Sequence, residues 1–254
     1  MKILFVGDVF GSPGRRAIES HLPGLRTELG VDFCVVNGEN AADGRGITAK
    51  LAERMLASGA DVITLGNWTW GQRGFAPYLS GSDRVIRPAN LSPSSPGKGL
   101  AIHDGVAVIN LLGQMTLNPF ESPWITVERL VEEASRETPV IIVDFHAEAT
   151  SEKVALAHHL AGRVTAVLGT HTHVQTNDAR VLPGGTAAIT DAGMTGPHDS
   201  VIGSLADGPI RRFVTGFPVR LEVAENDVRI EGVLIECGAD GRATSCVSVR
   251  VPIA

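Results

Sequence analysis

Five short apolar runs recur through the first two-thirds of the chain, and each one ends in polar residues. Lys2 to Val6 is followed by Gly7-Asp8, and Asp32 to Val36 by Asn37-Gly38-Glu39-Asn40. Asp61 to Leu65 is followed by Gly66-Asn67, and Val140 to Val143 by Asp144-Phe145-His146. Val164 to Leu168 is followed by Gly169-Thr170-His171-Thr172-His173. Apolar runs of this length, bounded by turn residues, predict buried strands. A helix is predicted near Gly14 to Leu29, opened by the Ser12-Pro13 cap and first-turn proline. Trp124 to Thr138 has the period of an amphipathic helix and stops at Pro139. Met1 to Leu65 therefore reads strand, helix, strand, helix, strand, and Val140 to Leu168 reads strand, helix, strand. That alternation is the signature of an α/β fold with parallel strands.

The remaining segments read differently. Glycine and proline cluster from Arg87 to Gly99 and mark a loop. Leu100 to Leu111 predicts two short strands around the hairpin signal His103-Asp104-Gly105. Past Gly184 the helices give way to strands at Thr186 to Thr190, Phe217 to Val223, Val228 to Ile235 and Ser245 to Val251. Glu225-Asn226-Asp227 and Gly238 to Gly241 supply the turns. These predict an antiparallel second sheet. The expected architecture is one domain over residues 1–254, with two sheets face to face and helices outside.

Ligands of open α/β sheets collect beyond the carboxyl ends of strands. The five strand ends deliver Asp8, Glu39, Asn40, Asn67, His146, His171 and His173 to that zone. Two histidines at i and i+2 on an extended backbone share a face, and imidazole is the commonest neutral metal ligand. Singly, each residue has an ordinary explanation: Asp8 a helix cap, Asn67 a turn residue, His146 a satisfied core histidine. Together they form a set of oxygen and nitrogen donors, with no thiolate. Seven donors are too many for one small cation. Two ions roughly 3.5–4 Å apart, sharing a bridging carboxylate, would use them all.

The arrangement Gly7-Asp8, Gly38-Glu39-Asn40, Gly66-Asn67, His146 and Gly169-Thr170-His171-Thr172-His173 resembles the calcineurin-like metallophosphoesterases. Three longer runs, Asn37 to Ala42, Asp144 to Lys153 and Asp191 to Pro197, resemble their bacterial YmdB-like branch. The resemblance extends from Met1 into the strands after Phe217. It implies a four-layer α/β sandwich and a dinuclear metal-dependent phosphodiesterase. The substrates implied are small cyclic nucleotides, 2′,3′-cyclic ones first, opened by metal-bound hydroxide attack on phosphorus. Asp8, Glu39, Asn40 and His173 would hold one metal; Glu39, Asn67, His146 and His171 would hold the other. The ions would be divalent or mixed-valence transition metals, iron first, with manganese or zinc as alternatives. Two departures stand out. Asp8-Val9-Phe10 lacks the histidine of the usual Asp-x-His. Gly66-Asn67-Trp68 replaces the usual Gly-Asn-His, so Trp68 stands at the position of the family's proton donor. Indole does not supply a proton at neutral pH. His198, in the Gly196-Pro197-His198-Asp199 loop, is the candidate substitute. The alternative function is a regulatory or phospho-ligand-binding protein that keeps the metals and has little turnover because of Trp68.

Composition fits an intracellular enzyme. The chain has 254 residues, with 43% hydrophobic and 20% charged residues, ordinary values for a globular protein. A net charge of −6 argues against a surface that coats nucleic acid, which would be basic. A small phosphodiester remains compatible, and a homo-oligomer stays open. Three sparse cysteines, at positions 34, 237 and 246, point to a reducing, cytoplasmic compartment. No run approaches the ~18 apolar residues of a membrane span. His21, His103 and His158-His159 read as surface positions. Arg211-Arg212 reads as a solvated basic pair, with phosphate steering as the alternative.

Overall fold

The computed structural model describes residues 1–253. In chain order the elements are β1 (Lys2–Val6), β2 (Asp8–Val9), α1 (Gly11–Leu29), β3 (Phe33–Asn37), α2 (Ala49–Ala57), β4 (Val62–Thr64) and α3 (Phe75–Gly81). Next come β5 (Val85–Ile86), β6 (Leu100–His103), β7 (Val106–Leu112), α4 (Pro123–Ser135), β8 (Ile141–His146), α5 (Thr150–His159) and β9 (Ala166–Thr170). The last are β10 (Arg180–Leu182), β11 (Thr186–Ile189), β12 (Met194–Pro197), α6 (Asp207–Thr215), β13 (Val228–Cys237) and β14 (Ala243–Pro252). One sheet runs β2-β12-β13-β1-β3-β4-β5, with β14 against β13; the other runs β10-β11-β9-β8-β7-β6.

Strand alternation explains the layering. Successive side chains point to opposite faces. On β1, Ile3 and Phe5 enter the core between the sheets, while Leu4 and Val6 pack under α1 and α2. On β8, Ile142 faces the other sheet, and Ile141, Val143 and Phe145 face α4 and α5. Both faces are buried, so these strands read as unbroken apolar runs rather than alternating ones. The result is the expected four-layer sandwich of two sheets face to face with helices outside. Helix ends follow local chemistry. Thr48 accepts the Leu51 amide at 3.3 Å at the start of α2, a side-chain N-cap. Gly30 closes α1 in the left-handed conformation, the usual glycine stop.

Two expectations for the last third are corrected. The late strands do not form a sheet of their own. β13 pairs antiparallel with β1 over Lys2 to Val6, and so extends the first sheet, while β10 and β11 extend the second. Phe217 to Val223 is not a strand. Phe217 is 75% exposed, Pro218 has no amide to donate, and only Val223 forms an isolated bridge, with Ser204. Its apolar residues have no sheet to pack on. They follow instead a helix that the sequence pattern did not predict, α6. The three cysteines are free. β13 and β14 set Cys246 opposite Ile235 and Cys237 opposite Ala243. No helix among the described residues is long and apolar enough to cross a membrane.

Candidate active site

The core between the sheets ends in polar residues at the strand carboxyl ends. Val35 gives way to Asn37 on β3, Ile142 to Asp144 and His146 on β8, and Leu168 to Thr170 on β9, each two residues along on the inward face. Asn37 Nδ2 donates to Asp144 Oδ2 at 3.0 Å. Thr170 Oγ1 donates to Asp144 Oδ1 at 2.7 Å. These groups, all fully buried, form a floor. The seven predicted side chains stand on it.

The structure brings all seven together, in two groupings that meet at Asp8, whose Oδ1 also lies 3.8 Å from His146 Nδ1. In the first, His173 Nε2 lies 3.1 Å from Asn40 Oδ1 and 3.9 Å from Asp8 Oδ1. In the second, His146 Nε2 lies 3.0 Å from Asn67 Oδ1, 3.1 Å from His171 Nδ1 and 3.8 Å from Glu39 Oε1. Outer partners fix how each group presents itself. Asn40 Nδ2 donates to the Gly44 carbonyl at 3.0 Å, which turns its oxygen toward His173. His173 Nδ1 donates to the Ile202 carbonyl at 3.0 Å. His146 Nδ1 donates to Thr170 Oγ1 at 2.9 Å, since that hydroxyl's own proton goes to Asp144. His171 Nε2 faces Glu148 Oε2 at 3.2 Å. Each imidazole is thereby held in the tautomer that leaves a lone pair pointing inward, the arrangement metal-binding histidines use.

Backbone conformation makes the close approach feasible. His171 and His173 have φ of 100° and 63°, uncommon for residues with a Cβ. Asp191 holds that loop: its Oδ2 accepts from the Thr172 amide at 3.1 Å and hydroxyl at 2.7 Å, and from Lys153 Nζ at 2.8 Å. A Cβ on Gly66 would sit 2.4 Å from His146 Nε2, so only glycine fits there.

The electrostatics suit a cation. Asp8, Glu39, Asp144 and Asp191 are buried, with Lys153 as the one buried ammonium beside them. Burial, reinforced by the Asp191 charge, pushes the Asp8 carboxyl up to about 7. Burial raises Glu39 well above the usual carboxylate range and Asp144 to about 7. Burial also holds His146, His171 and His173 below the usual imidazole value. Asp8 Oδ1 and Glu39 Oε2 are buried without a hydrogen-bond partner. Orphaned buried carboxylate oxygens are costly, and a cation between them relieves that cost. Among the described residues no set of three His, Cys, Asp or Glu side chains is already spread around a vacant ion position. The donors instead touch each other at 3.0–3.1 Å. Ligands about 2.1 Å from a tetrahedral ion stand about 3.4 Å apart, so small movements suffice.

Trp68 divides its roles. Its amide donates to Glu39 Oε1, while its indole, 39% exposed, lines the cavity above the cluster with the Arg45 guanidinium 4.9 Å from the ring centre. His198 is not brought to the cavity: its Nε2 lies 3.2 Å from the Met194 carbonyl and 3.9 Å from Glu231 Oε2. Sequence reasoning missed the floor residues Asn37, Asp144 and Thr170, and the loop anchor Asp191. The signal was available for the first three, because each lies two residues beyond an apolar inward-facing position.

Two facing sheets flanked by helices, with a histidine- and carboxylate-lined cluster at one end, define the calcineurin-like metallophosphoesterase fold. At 13% identity and a TM-score of 0.59, a 5′-nucleotidase precursor from Thermus thermophilus shares this fold, over 54% of its own chain. Much closer comparisons fix the family. The family model for YmdB-like proteins matches residues 4–249, and the chain belongs to that family. It is 48% identical to a Bacillus subtilis protein named 2′,3′-cyclic-nucleotide 2′-phosphodiesterase, over 93% of this chain and 91% of that one. It is 36% identical to a putative phosphatase/phosphodiesterase of Mycoplasma genitalium, over 99% of this chain and 93% of that one. A solved structure described as a novel phosphatase from Mycoplasma pneumoniae superimposes with a TM-score of 0.92 at 34% identity, covering 99% and 93% of the two chains. The chain is a hydrolytic enzyme of the phosphatase and phosphodiesterase class that these names describe.

Proposed function

We propose that this enzyme hydrolyses small cyclic nucleotides, 2′,3′-cyclic ones first, and that its cluster holds two transition-metal ions, iron first, with manganese or zinc as alternatives. The observation that carries the reading is the pair of orphaned carboxylate oxygens, Asp8 Oδ1 and Glu39 Oε2, buried among inward-facing imidazole lone pairs. Asp8, Asn40 and His173 belong to one ion, and Asn67, His146 and His171 to the other. Glu39 would help to hold both. When bound, such a pair polarises phosphoryl oxygens and generates a nucleophile from water at neutral pH.

The chain's own residues do the rest. Thr170, Asp144, Ile202 and Glu148 keep the imidazoles oriented, and Asp191 holds the strained His171–His173 loop. Trp68 fixes Glu39 through its amide and shields the cavity with its indole. The substrate preference rests on the name of the Bacillus subtilis relative. A second reading, a metal-retaining binding protein with little turnover, is favoured by one observation: indole stands where a proton donor is expected, and His198 lies away from the cavity. One experiment decides between them. Purified protein with added manganese or iron is assayed on 2′,3′-cyclic AMP, an aryl diester and a phosphomonoester. The expected order of kcat/KM places the diesters above the monoester. A monoester at the top means a phosphatase, and no turnover of any of the three, with metals retained, means the binding protein.

A further inference from the structure

The cavity above the cluster encloses about 650 Å³. One wall carries Trp68 with Arg45 over its face. Another part of the lining is α6 and the strand-less segment after it, with Arg212, Phe213 and Arg220. A second hollow of about 380 Å³ adjoins it, lined by Arg211, Thr215, Phe217 and Arg220. Val219 and Arg220 line both, so the two hollows border each other across that segment. The charge of this cleft is unlike that of the chain. The protein as a whole carries −6. Yet Arg45, Arg211, Arg212 and Arg220 form no ion pair among the described residues, whereas eleven of the other fourteen arginines do. Of the acids lining the cleft, Asp43 is paired with Arg15 at 3.3 Å, which leaves Glu222 against four arginines. Phe213 and Phe217 stand 83% and 75% exposed on the same stretch.

Unpaired arginines interleaved with exposed aromatic rings along a groove are the chemistry that binds single-stranded nucleic acid: cations follow the phosphates and rings stack the bases. We infer that the cleft receives the 3′ end of a short oligoribonucleotide that ends in a 2′,3′-cyclic phosphate. The terminal phosphate would lie at the cluster, the preceding phosphate against Arg211 and Arg220, and the preceding base on Phe213 or Phe217. This rests on the diesterase reading above and extends it from mononucleotides to RNA ends. Hydrolysis balances simply. One water adds its oxygen to phosphorus, one ring P–O bond breaks, the freed ribose oxygen takes up a proton, and the product is a terminal phosphomonoester. The acidic remainder of the surface still disfavours long polymers, so the recognised segment is short.

The test compares three substrates with the full-length, metal-loaded protein: a 2′,3′-cyclic mononucleotide, its 5′-phosphorylated form, and a dinucleotide ending in the same cyclic phosphate. The dinucleotide should be preferred in kcat/KM by on the order of tenfold, the low end of what one stacked base contributes, and the preference should shrink with added salt. The paired substitution Arg211→Ala with Phe217→Ala, both on exposed positions, should remove most of that preference. Anisotropy of a labelled dinucleotide, read against competing mononucleotide, gives the same comparison without turnover. An inactive protein that still prefers the dinucleotide therefore overturns the diesterase reading and supports the cleft. Equal values for mononucleotide and dinucleotide overturn the inference. So does a gain reproduced in full by the 5′-phosphate alone, which would leave the rings without a role. It also fails if the paired substitution leaves the preference intact and instead converts an oligomer to a monomer in sedimentation, because the rings then pack on a second copy.

Discussion

The buried histidine and carboxylate cluster and the α6 wall of the cavity above it are built by opposite means. In the cluster nearly every polar atom has a second partner behind it: His146 has Thr170, His173 has Ile202, Asn40 has Gly44, and Thr172 has Asp191. On the wall, α6 buries only Pro209, Phe213 is 83% exposed, and Arg212 and Arg220 form no ion pair among the described residues. The contrast separates two tasks. Geometry near a reacting atom has to be set in advance, because small misplacements are costly there. A surface that meets a variable substrate keeps its cations free and lets the ligand order them. The two regions should therefore answer to different perturbations, the cluster to loss of single atoms and to protons, the wall to salt.

The sharpest way to break the comparison is Glu39→Gln. The change keeps the shape and removes the charge of the carboxylate proposed to serve both ions. It should reduce bound metal from about two ions per chain to less than one and lower kcat/KM by more than ~100-fold, beyond the 10–100-fold typical of outer partners. Elemental analysis and the diester assay read it together. If both ions and activity survive, Glu39 does not bridge, and the cluster is less interlocked than its hydrogen bonds indicate.

Trp68 belongs to both regions, its amide in the cluster and its ring on the cleft, which makes it the next test. Histidine in its place restores a group able to protonate a leaving oxygen. A nitrophenolate leaves without that help. Trp68→His should therefore raise kcat more for a cyclic or alkyl nucleotide diester than for an aryl diester. The gain has a ceiling of roughly 10²–10⁴-fold, the usual worth of general acid catalysis. It should fall short of that, because imidazole does not fill the space under Arg45. Equal changes for both classes would mean that Trp68 does not occupy a donor's position. His198→Ala would then separate a displaced donor from none, although His198 sits against Met194 and Glu231.

These two regions were also unequally legible in the sequence. Each cluster residue ends an apolar strand of fixed period, so register alone carries Asp8, Asn67 and His146 to one edge. The floor was legible in principle, since Asp144 is two residues before His146 and shares its face. The apolar run itself ends at Val143, whereas β8 runs on to His146, so the run alone does not mark Asp144 as part of the strand. The wall gave no such signal. Phe217 to Val223 is apolar enough to suggest a strand, but strand propensity mostly records burial against neighbours, and this segment has none. The sheet membership of β13 was likewise invisible, because its partner β1 lies more than two hundred residues away and no local pattern selects it.

The smallest effect separates the regions by proton linkage. Burial lifts the Asp8 carboxyl to about 7 and Glu39 well above the usual carboxylate range, so at lower pH the metal-free protein holds protons that a cation has to displace. The three imidazoles are held below their usual value and are already neutral near pH 7, so they release none there. Metal affinity should thus rise with pH through about 7, by about tenfold per pH unit for each proton displaced. The slope should lessen by one proton above the Asp8 value. Calorimetric titration of metal into stripped protein, in two buffers of different ionisation heat, counts the protons directly. An affinity that is flat from pH 6 to 8, or a slope confined to below pH 6 where the imidazoles charge, would mean that the carboxyls are already ionised before the metal arrives. Salt over the same range should leave this slope in place and weaken only what the arginines of the cleft hold, because buried pairs are screened far less than exposed ones.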